Sequence, residues 1–174
     1  TEEDHRSFAI EAQKKENALI HCAQWITSTA GSSPASNPFS MLPEPLVFPV
    51  RLFTVTLIPA KTHPMPALDA VTDLITEVFD EISGKVFLHT HEDEICGLIS
   101  NESLVASGRT LDKKLARLQR QVTTYFLDAP VIIYHDKPIS LAELRQGYQL
   151  CEDSKALAFY VGCSAPIKAT AHTV

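Results

Sequence analysis

The sequence lacks the features that would settle its chemistry at once. It has no Walker A string, no G-x-G-x-x-G and no nucleophile elbow. Its four cysteines, Cys22, Cys96, Cys151 and Cys163, are widely spaced and form no Cys-x-x-Cys pair. Cys96 and Cys151 fall inside apolar patterns, where free cysteine behaves as a small hydrophobe. All four are read as reduced thiols of a cytoplasmic protein. There is no signal peptide and no apolar run long enough to span a bilayer, so no membrane contact is expected. Positive charge is scarce: the net charge is −6 and the pI about 5.6. That argues against nucleic acid backbone binding by this chain alone, which needs a positive patch. No internal repeat or low-complexity tract is present.

What is present is a chain of 174 residues that is 45% apolar, enough for one domain with a real core and an appendage. Its centre is Lys85–Ser100. Two apolar runs, Val86–Leu88 and Ile95–Ile99, flank the polar stretch His89–Glu94, which reads as a β-hairpin with an acidic tip. The runs are almost wholly apolar, so both sheet faces are expected to be covered.

Residues 2–26 read as a helix. Phe8, Ala12, Lys15, Leu19, Cys22 and Ile26 recur at alternating steps of four and three, the seam of a short coiled coil. Such a seam suits either a dimer or packing on the chain's own domain. Residues 27–47 hold Pro34, Pro38, Pro43 and Pro45 among serines and are read as a linker. Its apolar end, with Met41, Leu42, Leu46, Val47 and Phe48, is placed on the domain surface. The third part, residues 48–174, is the folded domain. It opens with a strand over 50–58 and a helix from Leu68 to Ile82, ended by Gly84. After the hairpin come a helix over 108–127, a strand at Pro130–His135 and a last helix opened by Ser140 with Glu143 as a capping box. Gly162 closes that helix, and a short strand is expected from Pro166. The order β-α-β-β-α-β predicts an α+β fold of the ferredoxin-like type, with helices on one sheet face.

The hairpin residues His91, Glu92, Asp93, Glu94 and Ile95, set in this order of elements, resemble the GGDEF domain of diguanylate cyclases over about residues 48–162. Asp93, Glu94 and Ile95 stand where that family has Asp, Glu and Phe; His91 and Glu92 replace its two glycines. The last helix, Ile139–Gly162, is similar to that of the degenerate GGDEF-like domain of bacterial transcription regulators, including AraC-type response regulators of two-component systems. The resemblance implies a GGDEF-like sheet between a sensory part and a DNA-binding helix-turn-helix lying outside this chain. Thr1 in place of Met fits a piece of such a larger protein. Activity is not expected. Side chains at His91 and Glu92 close the approach that glycines give to phosphates. The end of the first strand, Thr56–Lys61, has no carboxylate for Mg²⁺.

Other chemistries are weaker readings. His89 and His91 would share a strand face and, with His63 or His135, could ligate a metal. Cys22 beside His21 lacks the geometry of a nucleophile–base pair. Arg109, Lys113, Lys114, Arg117 and Arg120 crowd one helix and read as a solvated face in an acidic domain, the alternative being an anion or nucleic acid patch. The expectation is a non-enzyme without catalytic residues, metal or cofactor. It would be a homodimer through Phe8, Ala12, Leu19, Cys22 and Ile26, reaching DNA only through the missing domain. The alternative is a small-molecule or nucleotide sensor binding an effector at the hairpin tip and the 59–67 loop.

Overall fold

The computed structural model describes residues 1–28, 37–44, 46–58, 66–126, 129–161 and 165–169. It contains a five-stranded sheet: β1 (Val50–Thr56), β2 (Lys85–His91), β3 (Glu94–Ser100), β4 (Val131–Tyr134) and β5 (Ile167–Lys168). The strand order is β2-β3-β1-β4-β5. β3 and β4 each pair antiparallel with β1, and β2 pairs antiparallel with β3. This is the expected α+β split βαβ sheet. The short strand after Pro166 is β5, parallel to β4.

The helices are α1 (Glu2–Thr27), α2 (Leu68–Val78), α3 (Asn101–Ala106), α4 (Leu111–Phe126) and α5 (Leu144–Val161). They cover both sheet faces, which corrects the expectation of one helical face. Strand alternation sorts the core in two. Phe53, Val55, Ile95, Ile99 and Ile132 face α2 and α4, with Val71, Ile75, Leu115 and Leu118. Leu52, Leu88, Cys96, Leu98 and Ile133 face α1 and α5, with Cys22, Ile26, Tyr148 and Cys151. β3 is buried along its whole length, as its unbroken apolar run requires.

Boundaries differ where local signals were weak. α2 stops at Val78, and Phe79–Ile82 continue as turns that still bury Phe79 and Ile82. The stretch after β3 holds two helices: α3 starts directly from Ser100, and Gly108, at φ 71°, turns the chain before α4. At the last helix, Leu141–Glu143 forms a 3-10 turn ahead of α5, and the Ser140 hydroxyl donates to the Glu143 carboxylate at 3.0 Å. Gly162 and the Phe159 side chain lie outside the described residues.

The segment read as a linker is partly core. Pro38–Met41 forms a 3-10 turn, capped by the Asn37 side chain accepting from the Phe39 amide at 3.0 Å. Phe39 is buried edge-on between Trp25 and Phe48. Leu42, Leu46 and Phe48 pack partly against the same cluster, while Met41 and Val47 stay exposed. Cys22, Cys96 and Cys151 are buried free thiols, and burial pushes the pKa of each up. Cys163 lies outside the described residues. No described helix is long and apolar enough to cross a membrane.

One close approach fixes the sheet's α2/α4 face. Phe53 pairs with Gly97 across β1 and β3, and a Cβ at Gly97 would lie 2.1 Å from the Phe53 ring. That ring stacks on Phe79, centroids 5.4 Å apart. Gly97→Ala is expected to force Phe53 off this stack and cost about 1–3 kcal/mol, read as a lower denaturation midpoint. An unchanged midpoint would mean that the ring has room the geometry does not show.

Candidate functional site

The hairpin turns on two residues, Glu92 and Asp93, between β2 and β3. Its sequence motif is split by the fold. His91 and Glu92 are exposed, Asp93 is half-buried, Ile95 joins the α2/α4 core, and Glu94 is fully buried on the α1/α5 side. The Asp93 carbonyl accepts from the Leu57 amide at 2.8 Å, tying the turn to the end of β1.

A carboxylate at 0% exposure must be matched, and Glu94 is. Thr90 and Tyr148 donate to one oxygen at 2.5 and 2.6 Å. Thr56, at 3.4 Å, and the Lys155 ammonium bond the other. Lys155 also holds Glu152 at 2.9 Å. Thr56 and Thr90 come from β1 and β2. Tyr148, Glu152 and Lys155 follow steps of four and three along α5, so all three reach down one helix face.

The electrostatics of the group are graded. Burial works against the Glu94 charge, but hydrogen bonds from Glu152, Lys155, Thr90 and Tyr148 outweigh it and hold its pKa well below the usual range. Glu152 moves the other way: burial, its hydrogen bond with Glu94 and that residue's charge push it up to about 7. Burial and the bond to Glu94 push the Tyr148 phenol up. Burial opposes the Lys155 charge, and its two carboxylate partners outweigh that, so its pKa is raised. The result is an ionised Glu94 paired with an ammonium, beside a second carboxyl that shares a proton near neutrality.

The predicted residues fall apart in instructive ways. A bulge between His89 and His91 breaks the shared face. His89 turns to α2, its Nε2 3.0 Å from the Thr72 hydroxyl. His91 goes to the other side, where its ring nitrogen and carboxylate oxygens of Glu94 and Glu152 lie within 4.8 Å of one another. That trio is the one set of three metal-ligand types among the described residues. Lys155 already supplies the positive charge there, bonding both carboxylates. His135 sits at the end of β4, bonded to Lys137. His63 and most of the 59–67 loop lie outside the described residues. Of the helix seam, Phe8 and Ala12 are exposed, Leu19 is half-buried, and Cys22 and Ile26 are buried against the chain's own sheet. These last two therefore offer nothing to a partner, because the domain's apolar face has taken them. Sequence reasoning missed Glu152 and Lys155; the signal was two opposite charges at i, i+3 on a helix face shared with Tyr148 and Cys151.

No protein-family model matches the chain, and no curated protein does. Among solved structures it is similar to the GGDEF domain of DgcB from Caulobacter crescentus, a crystal structure in complex with c-di-GMP. The identity is 10% and the TM-score 0.46, over 70% of this chain and 76% of that one.

Two outcomes follow from the buried group. Glu152 binds its proton more tightly folded than unfolded, so its contribution is full below its unfolded pKa and is lost as pH rises through about 7. Stability is expected to fall by about 1–2 kcal/mol between pH 5 and pH 8, and Glu152→Gln is expected to flatten that limb; an equal slope in the variant would put the titration elsewhere. Lys155→Met strands the Glu94 charge in the core and is expected to cost about 3–5 kcal/mol at pH 7, read by chemical denaturation.

Proposed function

We propose that this chain is a non-catalytic regulatory domain that dimerises through its N-terminal helix and relays a signal across the sheet. The observation that carries this reading is the division of α1. Ala18, Cys22, Ala23 and Ile26 root its second half in the core. Residues 1–17 are exposed throughout, including Phe8 at 78% and Ile10 at 54%. The free half spans about 24 Å and buries no side chain among the described residues. A helix of that length is marginal alone in water, and its apolar stripe, Phe8 to Ala12 to Leu19, continues into the rooted half. A second copy's helix, packed along it, would supply the missing burial.

The non-catalytic part is supported by Glu94. The acid that the cyclase resemblance assigns to the hairpin motif is buried, and its bonds go to the protein's own side chains. The residues that follow it in pairing, Thr56–Leu57–Ile58, add no carboxylate. The setting in a bacterial transcription regulator, with its helix-turn-helix outside this chain, rests on the likeness of the hairpin and last helix to the degenerate domain of that class.

The mass in solution tests the reading. The full chain is expected to be a dimer by light scattering, and the chain lacking residues 1–15, which keeps the rooted half, a monomer. Phe8→Glu is expected to dissociate the dimer and leave a folded monomer, since Phe8 is 78% exposed and touches no core. A monomeric full chain would sink the relay. With GTP and Mg²⁺, no cyclic dinucleotide is expected, and measurable product would overturn the non-catalytic assignment.

A further inference from the structure

The hairpin tip is acidic; the opposite end of the sheet is not. There a cavity of about 510 Å³ lies between the end of α2 and the first turns of α4. Arg109, Lys113, Lys114, Arg117 and Arg120 line it, with Glu81 as the one acid among its lining residues. Five of the chain's 15 lysines and arginines thus gather here, in a protein whose net charge is −6.

The single carboxylate is already used twice. Lys114 is buried, donates to the Val78 carbonyl at 2.8 Å and pairs with Glu81. Arg109 lies 3.8 Å from the same Glu81 oxygen. Both partners hold the Glu81 pKa below its usual range, the Lys114 bond most strongly. Asp112, bonded by Thr110, lines the neighbouring cavity with Arg51. Lys113, Arg117 and Arg120 are exposed, and no described carboxylate lies within ion-pair distance of them. They stand one helical turn apart, at i, i+4 and i+7, where like charges oppose the helix they sit on. A merely solvated face avoids this by mixing signs, as Glu11 and Lys14 do on α1.

We infer that this cavity binds a compact, multiply charged anion: an oligophosphate, free or carried by a small molecule. Guanidinium forks match phosphate oxygens two at a time, and a ligand of three or more charges would answer the three unpaired cations together. A concave site suits a small ligand. A long nucleic acid strand is disfavoured, because the rest of the acidic surface repels it. This assignment stands apart from the dimer reading and does not depend on it.

Inorganic tripolyphosphate is the probe, titrated calorimetrically into the full chain. Saturable binding is expected, weakening as salt rises, with a higher unfolding temperature in the bound state. Arg117→Glu/Arg120→Glu, both exposed, is expected to weaken binding by about tenfold or more without lowering the free protein's unfolding temperature. Arg6→Glu/Lys14→Glu, the same charge change on the free half of α1, is expected to leave binding intact. Equal losses in both variants would reduce the effect to net charge and overturn the site, as would no binding to the unmodified chain. Nucleoside triphosphates separate the two sources. Competition by adenosine and guanosine triphosphate at equal strength supports recognition of the phosphates. Binding of one nucleotide with none of tripolyphosphate overturns it.

Discussion

The fold turns on one buried charge. Glu94 starts β3 at the point where the hairpin returns to the core, and an isolated carboxylate there would be too costly to ionise. Every element that could approach it does so: β2 through Thr90, β1 through Thr56 and α5 through Tyr148 and Lys155. The constraint works in both directions. The carboxylate needs these partners to keep its charge, and α5 needs the carboxylate to bring Lys155 inward. Hydrophobic burial alone would let α5 slide along the apolar strip of Leu52, Cys96 and Leu98. Bonds of fixed length from two α5 residues to one carboxylate set its position along that strip.

The α1/α5 face is closed by a second, aromatic device. Trp25, Phe39 and Phe48 meet edge to edge, with centroids 5.7 and 5.8 Å apart. Arg145, in the first turn of α5, stacks over Trp25 at 4.2 Å from its centroid. The proline-rich stretch supplies Phe39 to this group because a 3-10 turn, capped by Asn37, suits a segment whose prolines forbid longer helix or ladder. The α2/α4 face is packed around Phe53, Phe79 and the space left by Gly97, with Lys114 lying over the Phe79 ring and donating to the Val78 carbonyl. The two faces of one sheet therefore differ in what lies at their centre: a buried carboxylate and its partners on one, a phenylalanine cluster of Phe53, Phe79 and Phe87 on the other.

Much of the fold was legible because apolar periodicity is local. The hairpin, α2, α4 and β4 were read from residues that touch one another within their own elements. α3 was not, because it follows β3 with no turn residue between Ser100 and Asn101 to announce it. The site was half legible. Glu94 stood out as an acid beside an apolar run, but its partners lie 54 and 61 residues away on α5, and spacing rules do not reach across the fold. The pairing of His89 with His91 failed for a related reason: period-two alternation holds only in an unbroken ladder, and a bulge intervenes. The seam of α1 was correct as a periodicity and silent about where burial stops, since spacing alone does not say that the stripe is buried at Cys22 and Ile26 and exposed at Phe8.

A short chain of contacts links α1 to the buried carboxylate. The free half of α1 is continuous with a rooted half that carries Trp25; Trp25 lies under Arg145; and α5 carries the two residues that match Glu94. A partner that changed the tilt of α1 would have to move α5 or break the Trp25–Arg145 contact. Moving α5 in turn strains bonds to a carboxylate that has no water to replace them. Such a charge does not tolerate partial displacement, because a hydrogen bond lengthened inside a core loses its strength without regaining solvent. The buried group therefore holds α5 in the one position that matches Glu94 and penalises partial displacement, the constraint on which the proposed relay would have to act.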